Sequence, residues 1–206
     1  MSWKKEEKAV IKKLSSPFKI QQFLDSIPYS TEPRYRCPRA VLKDRKAHCF
    51  DGAVFAAAML EQIGFPPLIV DMQAVRDDDH VIAIFKKNGF FGAVAKSNFA
   101  GLRFREPLYK NLRELVMSYF HSFYNMDKEY SLRQFTVPLN LKKYQNYQFN
   151  NELMETIGLQ LSYIPVTKLM TPAMIRALNP VDERTVKAGM VGTDLKGVYF
   201  PPKKKK

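Results

Sequence analysis

The sequence contains few cysteines, few glycines and no long apolar run. Two cysteines, Cys37 and Cys49, are too few for a disulfide scaffold, and the nine dispersed glycines form no phosphate-cradling loop. No apolar run reaches the roughly 18 residues that a membrane span needs. The N-terminal residues also lack the apolar stretch of a secretory signal. We therefore expect a soluble cytoplasmic protein, with no membrane partner, whose two thiols are free.

Acidic residues are scarce relative to basic ones. The chain has 33 Lys and Arg against 20 Asp and Glu, a net charge of +13 to which Lys203–Lys206 contribute four units. Such an excess attracts polyanions but says nothing about the fold. We find no helix-turn-helix glycine turn, zinc-finger spacing or RNP-like strand, so we favour solvated basic faces. Nucleic acid is thus the less favoured partner, and the sequence does not specify an oligomeric state.

Apolar and aromatic residues are abundant. The 206 residues are 46% hydrophobic and include 15 Phe and 10 Tyr, which excludes a disordered chain. This length suits one well-cored domain. We predict a single domain over residues 1–206, with a core over about 38–105, a helical N-terminal extension over 1–37 and a C-terminal extension over 106–206.

Residues 49–63 predict a buried helix. Their only charged or amide side chains are Asp51, Glu61 and Gln62, and a helix that is apolar on nearly every side must be buried on nearly every side. Gly64 is a favourable residue just past a helix end, and the prolines that follow it forbid continuation. We expect a central helix beginning at Cys49.

Three strand-like runs follow this helix, over residues 68–75, 80–85 and 90–97. Asn88-Gly89 between the last two is a strong hairpin signal, and a two-residue loop there pairs Ile84 with Ala93, Ile82 with Ala95 and His80 with Ser97. A buried helix followed by an antiparallel meander indicates an α+β fold. We predict a buried nucleophile-bearing helix packed on an antiparallel β-sheet, with extra helices at both ends.

The flanking segments predict further helices. Apolar spacing and capping residues indicate helices over 4–14 and 18–27, a longer amphipathic helix opened by Glu106-Pro107, and short helices near 151–157 and 171–178. The tail after Gly192 is expected to be loose.

Cys49 and His80 have the order of a thiol-based active site. The N-terminus of a helix favours the thiolate form of a cysteine. His80 opens a strand about 30 residues later, and Ser97 and Asn98 lie where the partner strand ends. A thiol, an imidazole and a hydrogen-bonding side chain in this order form a nucleophilic triad. Each residue also has a purely structural interpretation. Cys49 can be a small buried hydrophobic residue, His80 a half-buried histidine, and Ser97 and Asn98 ordinary loop residues.

The same segment resembles a known superfamily. Residues 46–66 read Lys-Ala-His-Cys-Phe-Asp-Gly-Ala-Val-Phe-Ala-Ala-Ala-Met-Leu-Glu-Gln-Ile-Gly-Phe-Pro and resemble the nucleophile helix of the transglutaminase-like superfamily. Residues 79–94 are similar to that superfamily's histidine strand, turn and aromatic-bearing strand. Asp79-His80 and residues 96–99 are also similar to papain-like peptidases, and the cysteine helix to arylamine N-acetyltransferases. The resemblance covers roughly residues 38–105 and implies a transglutaminase-like or papain-like core.

The sequence departs from these patterns at two positions. Ala95 stands where the transglutaminase pattern has Asp, so the third role moves to Asn98 or Ser97; we favour Asn98, because an amide oxygen anchors an imidazole better than a hydroxyl does. Lys43 stands where papain-like enzymes have their oxyanion-hole Gln, so the oxyanion donors are expected to be backbone N–H groups, including that of Cys49.

The predicted function is cysteine-dependent acyl transfer. Cys49 attacks an amide or ester carbonyl, His80 moves the proton, and the acyl group passes to water in a peptidase or amidase, or to an amine in an acyltransferase. The substrate is a peptide, amide or acyl compound, and no cofactor or metal is required. A zinc site drawn from Cys37, His48, Cys49, His80 and the Asp77–Asp79 run lacks any ligand spacing.

The departures leave a second function open. A non-catalytic binding protein on the same core would use its basic surface to meet an acidic partner or nucleic acid.

Overall fold

The computed structural model describes residues 1–202, so the basic tail Lys203–Lys206 lies outside the described residues. The α-helices are α1 Lys5–Lys13, α2 Pro17–Asp25, α3 Pro38–Asp44, α4 Cys49–Gln62, α5 Leu112–Met117, α6 Glu152–Tyr163, α7 Pro172–Arg176 and α8 Glu183–Gly189. The strands are β1 Leu68–Ala74, β2 His80–Lys87, β3 Phe90–Val94, β4 Arg105–Tyr109, β5 Leu132–Thr136, β6 Leu139–Asn140 and β7 Val166–Lys168. None of the helices in this range is long and apolar enough to cross a membrane.

Helix α4 is the central element, as predicted. Every residue from Phe50 to Leu60 is buried, because α2 and α3 pack on the helix from one side and the sheet packs on it from the other. The helix begins at Cys49 and is followed by Gly64 at φ +92°, a left-handed conformation that glycine adopts without strain. The sequence pattern of this segment therefore predicted both its burial and its ends.

The strands form a seven-stranded antiparallel sheet, which confirms the α+β prediction. The order is β4-β3-β2-β1-β5-β7, with β6 paired beside β1. Alternate side chains of β2 enter two cores: Val81 and Ala83 face α4, whereas Ile82 and Ile84 pack with α5 on the other face. Strands β5 to β7 come from the predicted C-terminal extension, so that extension completes the sheet on which α4 packs.

The β2–β3 hairpin has the predicted register near its turn. Ile84 pairs with Ala93, and both turn residues, Asn88 and Gly89, have positive φ. The two further pairs predicted for this hairpin, Ile82 with Ala95 and His80 with Ser97, are not formed, because β3 ends at Val94.

A side chain replaces the strand partner beyond that point. Gln21 of α2 donates from Nε2 to the Ala95 carbonyl at 2.9 Å and accepts from the Ala95 N–H at 3.0 Å. Both groups are buried. This amide therefore satisfies the backbone where β3 stops and frees the following residues for the cavity described below.

The prediction of a helix that begins at Glu106-Pro107 is wrong. These residues lie in β4, an edge strand, where the N–H that proline lacks is not needed. Helix α5 begins only at Leu112, after Asn111 caps it by accepting from the Glu114 N–H at 2.9 Å. The other predicted helices are confirmed, including α7, whose cap is the predicted Thr171.

The Gln21 amide gives a stability prediction. Gln21→Met leaves the buried N–H and C=O of Ala95 without partners, so we expect the free energy of unfolding in urea to fall by about 2 kcal/mol or more. The matched control is Gln22→Met at the exposed neighbouring position, for which we expect a change within about 0.5 kcal/mol. Equal losses in the two variants would contradict the role assigned to Gln21.

Candidate active site

The predicted site residues meet at one cavity. A cavity of about 870 Å³ opens beside the first turn of α4 and the start of β2, and Cys49, His80, Ser97 and Asn98 all line it. The first turn of α4 lies close to the segment after β3, since a Cβ on Gly52 would come within 2.2 Å of the Lys96 Cβ. Burial of α4 and termination of β3 thus bring distant parts of the chain together.

The Cys49 thiol points into the cavity beside the backbone of β2. Its Sγ lies 4.0 Å from the Asp79 carbonyl oxygen, and the Val81 N–H is close enough to act to lower the pKa of the thiol. Burial raises the pKa of the thiol to about 11, and the nearby Asp71 carboxylate adds to this rise. The thiol is therefore neutral at rest, whereas a helix N-terminus alone would favour the thiolate.

His48 caps the helix that carries the thiol. Its Nδ1 accepts from the N–H groups of Phe50 and Asp51, at 3.1 and 3.4 Å, and the Gly52 N–H bonds to the His48 carbonyl. Burial lowers the pKa of His48 to about 4 and keeps the imidazole in the neutral form that can accept. The Cys49 N–H has no backbone acceptor within residues 1–202, and it lies at the Tyr29 hydroxyl, where it acts to lower the pKa of that phenol.

Asp51 fixes the same turn from inside the core. Its side chain is fully buried and accepts from the Arg36 N–H at 2.7 Å and the His48 N–H at 3.3 Å, with the Arg36 guanidinium 3.6 Å away. Arg36 is itself 1% exposed and also bonds Ser30, Glu32 and Asp44. This network locks the loop before α3 onto the start of α4.

His80 is held by a backbone carbonyl. Its Nε2 lies 2.8 Å from the Leu102 oxygen, and since a carbonyl can only accept, Nε2 carries the proton and Nδ1 is left to accept one. Burial lowers the pKa of the imidazole to about 4, so it is neutral at pH 7. No hydrogen bond joins the imidazole to the Cys49 Sγ within residues 1–202, because the ring packs against Phe123 on the sheet face away from α4.

The side chains of Asn98 and Ser97 form hydrogen bonds with groups other than His80. The Asn98 side chain donates to the Asp194 carbonyl at 2.8 Å and accepts from the Asp194 N–H at 2.9 Å. The Ser97 hydroxyl accepts from the Phe99 N–H at 3.0 Å. No hydrogen bond from either side chain to His80 is present in the described chain, and the position predicted for them is taken by the Leu102 carbonyl.

The C-terminal segment forms one wall of the cavity. Residues 196–199 line it, and Gly197 lies against Tyr29, where a Cβ would approach the ring to 3.1 Å. The tail expected to be loose after Gly192 is therefore packed as far as Tyr199, with Asn98 as its anchor.

Sequence reasoning missed two groups beside the predicted pair. The Tyr29 hydroxyl lies beside the Cys49 thiol, and burial, with the nearby Cys49 side chain, raises the pKa of this phenol, which keeps its proton as a donor. Nothing in the sequence indicated the Leu102 carbonyl, because every residue has a backbone carbonyl. Tyr29 lies in an aromatic and basic segment that gave no reason to associate it with Cys49.

The zinc alternative is not supported by the donor positions. Among residues 1–202, no group of three or more His, Cys, Asp and Glu side chains is placed to hold a metal ion. Cys37 and Cys49 are both free thiols, and Cys37 is buried at the N-terminus of α3.

Comparisons with known proteins give a partial structural likeness. The sequence matches no family model and no curated protein. Solved structures similar to part of this chain include LapG of Legionella pneumophila, and the same protein after EGTA treatment, each at 17% sequence identity. The aligned region covers 43% of this chain and 59% or 57% of LapG, with TM-scores of 0.35 and 0.34. The chain thus matches less than two thirds of LapG's length, and a likeness of this size assigns no activity.

The His48 cap gives a pH prediction. Protonation of Nδ1 breaks the cap, and because the pKa is lower in the folded than in the unfolded chain, the stabilisation is complete above about pH 6.5 and lost as the pH falls toward 4. His48→Asn keeps an accepting side chain that does not titrate. We expect the unfolding free energy of the natural chain to fall by about 2 kcal/mol relative to this variant between pH 7 and pH 5. If the difference in unfolding free energy between the two chains stays constant from pH 7 to pH 5, the capping role of His48 is refuted.

The resting thiol gives a reactivity prediction. Because the pKa of Cys49 is raised to about 11, its alkylation by iodoacetamide should be slower than that of free cysteine at pH 7 and should rise continuously toward pH 11. Mass spectrometry of the Cys49 peptide measures the rate, with Cys37→Ser to remove the second thiol. A plateau near pH 6 would instead reveal a thiolate–imidazolium pair at rest.

Proposed function

We propose that the chain is a cysteine-dependent acyl-transfer enzyme of the transglutaminase-like type. The observation that carries the proposal is the joint placement of a thiol at the head of a buried helix and a neutral, backbone-anchored imidazole at one cavity. Acyl transfer needs a nucleophile, a base and a donor for the oxyanion. The proposed setting is the reducing cytoplasm, where Cys49 stays a thiol.

The proposed reaction begins with a proton transfer coupled to attack. The Nδ1 of His80 takes the Cys49 proton as the sulfur attacks the carbonyl carbon, since a free thiolate is disfavoured by burial. The two groups lie on opposite sides of β2, so the mechanism requires the start of β2 to move when the substrate binds and to bring the imidazole to hydrogen-bond distance from Sγ. The Leu102 carbonyl holds the Nε2–H and stabilises the imidazolium that forms.

The developing oxyanion is met by two donors. The Cys49 N–H and the Tyr29 hydroxyl lie next to each other beside the thiol. In this mechanism the substrate oxygen replaces the contact between them and accepts from both, since neutral donors placed in a desolvated cavity stabilise a forming negative charge. The imidazolium then returns its proton to the leaving amine or alcohol, and the carbonyl reforms as a thioester on Cys49. Water or an amine attacks this thioester and regenerates the thiol.

Asn98 and Ser97 have a supporting part in this proposal. Asn98 anchors the wall that holds the substrate against Cys49, and Ser97 fixes the turn leading to the Leu102 carbonyl. The orienting role predicted for them belongs in this mechanism to Leu102.

The proposal is tested with p-nitrophenyl acetate, an activated ester that needs no specificity. We expect one acetyl group on Cys49, detected by mass spectrometry of the quenched protein, and none in Cys49→Ala. His80→Gln should acylate at least about 100-fold more slowly, the usual loss on removing a general base. Cys37→Ser is the matched control and should be unaffected.

The competing function makes a different prediction. Acylation of Cys49 at the rate of free cysteine, unchanged in His80→Gln, would favour the non-catalytic binding protein. Acylation of Cys37 instead of Cys49 would also overturn the proposal.

A further inference from the structure

Asp71 is a buried carboxyl group that the proposed mechanism does not use. It lies in β1 directly opposite Val81 of β2, is 5% exposed and lines the cavity. One of its oxygens, Oδ1, is buried without a hydrogen-bond partner in the described chain. Nearly all buried polar atoms have such a partner, so this oxygen needs an explanation.

Asp71 differs from the other fully enclosed carboxylate of the site. Asp51 has the guanidinium of Arg36 beside it, whereas no cation is paired with Asp71 within residues 1–202. Because an unpaired buried charge is costly, burial raises the pKa of Asp71 to about 7, and the nearby Asp79 adds to this rise; a bound cation would instead stabilise the ionised form. Because Asp71 borders the cavity, that cation can come from a bound molecule.

The carboxylate of Asp71 is held in a fixed position. Gln134 donates to Gln73 at 2.7 Å, Gln73 donates to the Asp71 Oδ2 at 3.2 Å, and the Asp71 N–H bonds the Thr136 hydroxyl at 3.0 Å. These contacts occupy Oδ2, whereas Oδ1 is buried without a partner in the described chain. The group is therefore positioned as a binding residue would be.

The cavity is acidic although the protein is basic. Of the charged side chains that line it within residues 1–202, one is basic and five are acidic: Lys196, and Glu32, Asp71, Asp77, Asp78 and Asp79. A concave site lined by one sign of charge focuses the potential and attracts the opposite sign. The excess of basic side chains among residues 1–202 therefore lies outside this cavity.

Asp71 also lies within one side chain's reach of the nucleophile. Opposed residues of antiparallel strands have Cα atoms about 5 Å apart. The N–H of Val81, the residue opposite Asp71, and the Asp71 carboxylate are both close enough to the Cys49 thiol to shift its pKa. Asp71 cannot be the orienting partner of His80, because its side chain lies on the α4 face with Val81 and the imidazole lies on the other face.

We propose that Asp71 binds the ammonium group of a lysine-type side chain in the acyl-donor substrate, whose carbonyl then lies at Cys49. This rests on the proposed function of the cavity. Binding places a cation on the unpaired oxygen and converts a buried charge into a charge-assisted hydrogen bond. It also neutralises the carboxylate that helps to raise the pKa of Cys49, so the substrate that fits the cavity also makes its thiol easier to ionise.

Binding is tested without catalysis in the Cys49→Ala chain. The probes are N-acetyl-L-lysine methylamide and its uncharged counterpart N-acetyl-L-norleucine methylamide, titrated by NMR. We expect the lysine compound to bind at least about tenfold more tightly, and this preference to vanish when Asp71→Asn is added. Asp78→Asn, at an exposed acid of the same cavity, is the control and should keep most of the preference. If the Cys49→Ala chain binds the two probes with equal affinity, the inference is overturned, and no further variant is needed to show this.

Catalysis is tested separately with p-nitrophenyl esters of N-acetyl-lysine and N-acetyl-norleucine. We expect kcat/KM to favour the lysine ester at least about tenfold in the natural chain, and about equally low values for both in Asp71→Asn. If both esters acylate Cys49 equally well, the inference fails and the proposed function stands. If the lysine probe binds but no ester acylates Cys49, the proposed function fails and the cation site stands.

Discussion

The start of helix α4 depends on the burial of one carboxylate. Asp51 is completely enclosed, and an enclosed charge is tolerated only with partners that satisfy each oxygen. Arg36 and His48 supply them. This requirement fixes where the chain before α3 must lie, how the helix is capped, and in which direction the Cys49 side chain leaves the helix.

The same requirement explains the unusual state of the candidate active site. The Phe50 N–H at the helix end also donates to His48 and acts to lower the pKa of the Cys49 thiol, but burial raises that pKa by more. The thiol and the imidazole of His80 are both neutral and enclosed. Charge separation in such a site has to be induced by what binds there, which makes the cavity walls as important to reactivity as the two reacting side chains.

Local sequence patterns predicted those parts of the molecule that local physics decides. The unbroken apolar composition of residues 50–60, the Asn88-Gly89 turn and the Thr171 cap each specify their conformation within a few residues. The helix expected at Glu106-Pro107 was wrong because an amphipathic pattern does not reveal that an edge strand precedes it.

The other misses concern contacts between distant positions. Gln21 reaches Ala95 across 74 residues, and Asn98 meets Asp194 across 96. The carbonyl of Leu102 is a backbone group with no sequence signature. The sequence therefore predicted which side chains would gather near Cys49, but not which of them would bond to one another.

The wall contributed by residues 196–199 has a consequence for biosynthesis. Synthesis proceeds from the N-terminus, so Cys49, His80 and the residues of the β2–β3 hairpin have been made long before Asp194. Until that residue docks on Asn98, the thiol stands in an open groove that lacks its last side. The cavity therefore gains this wall only after residues 194–199 have been made, and a shorter nascent chain carries Cys49 and His80 without it.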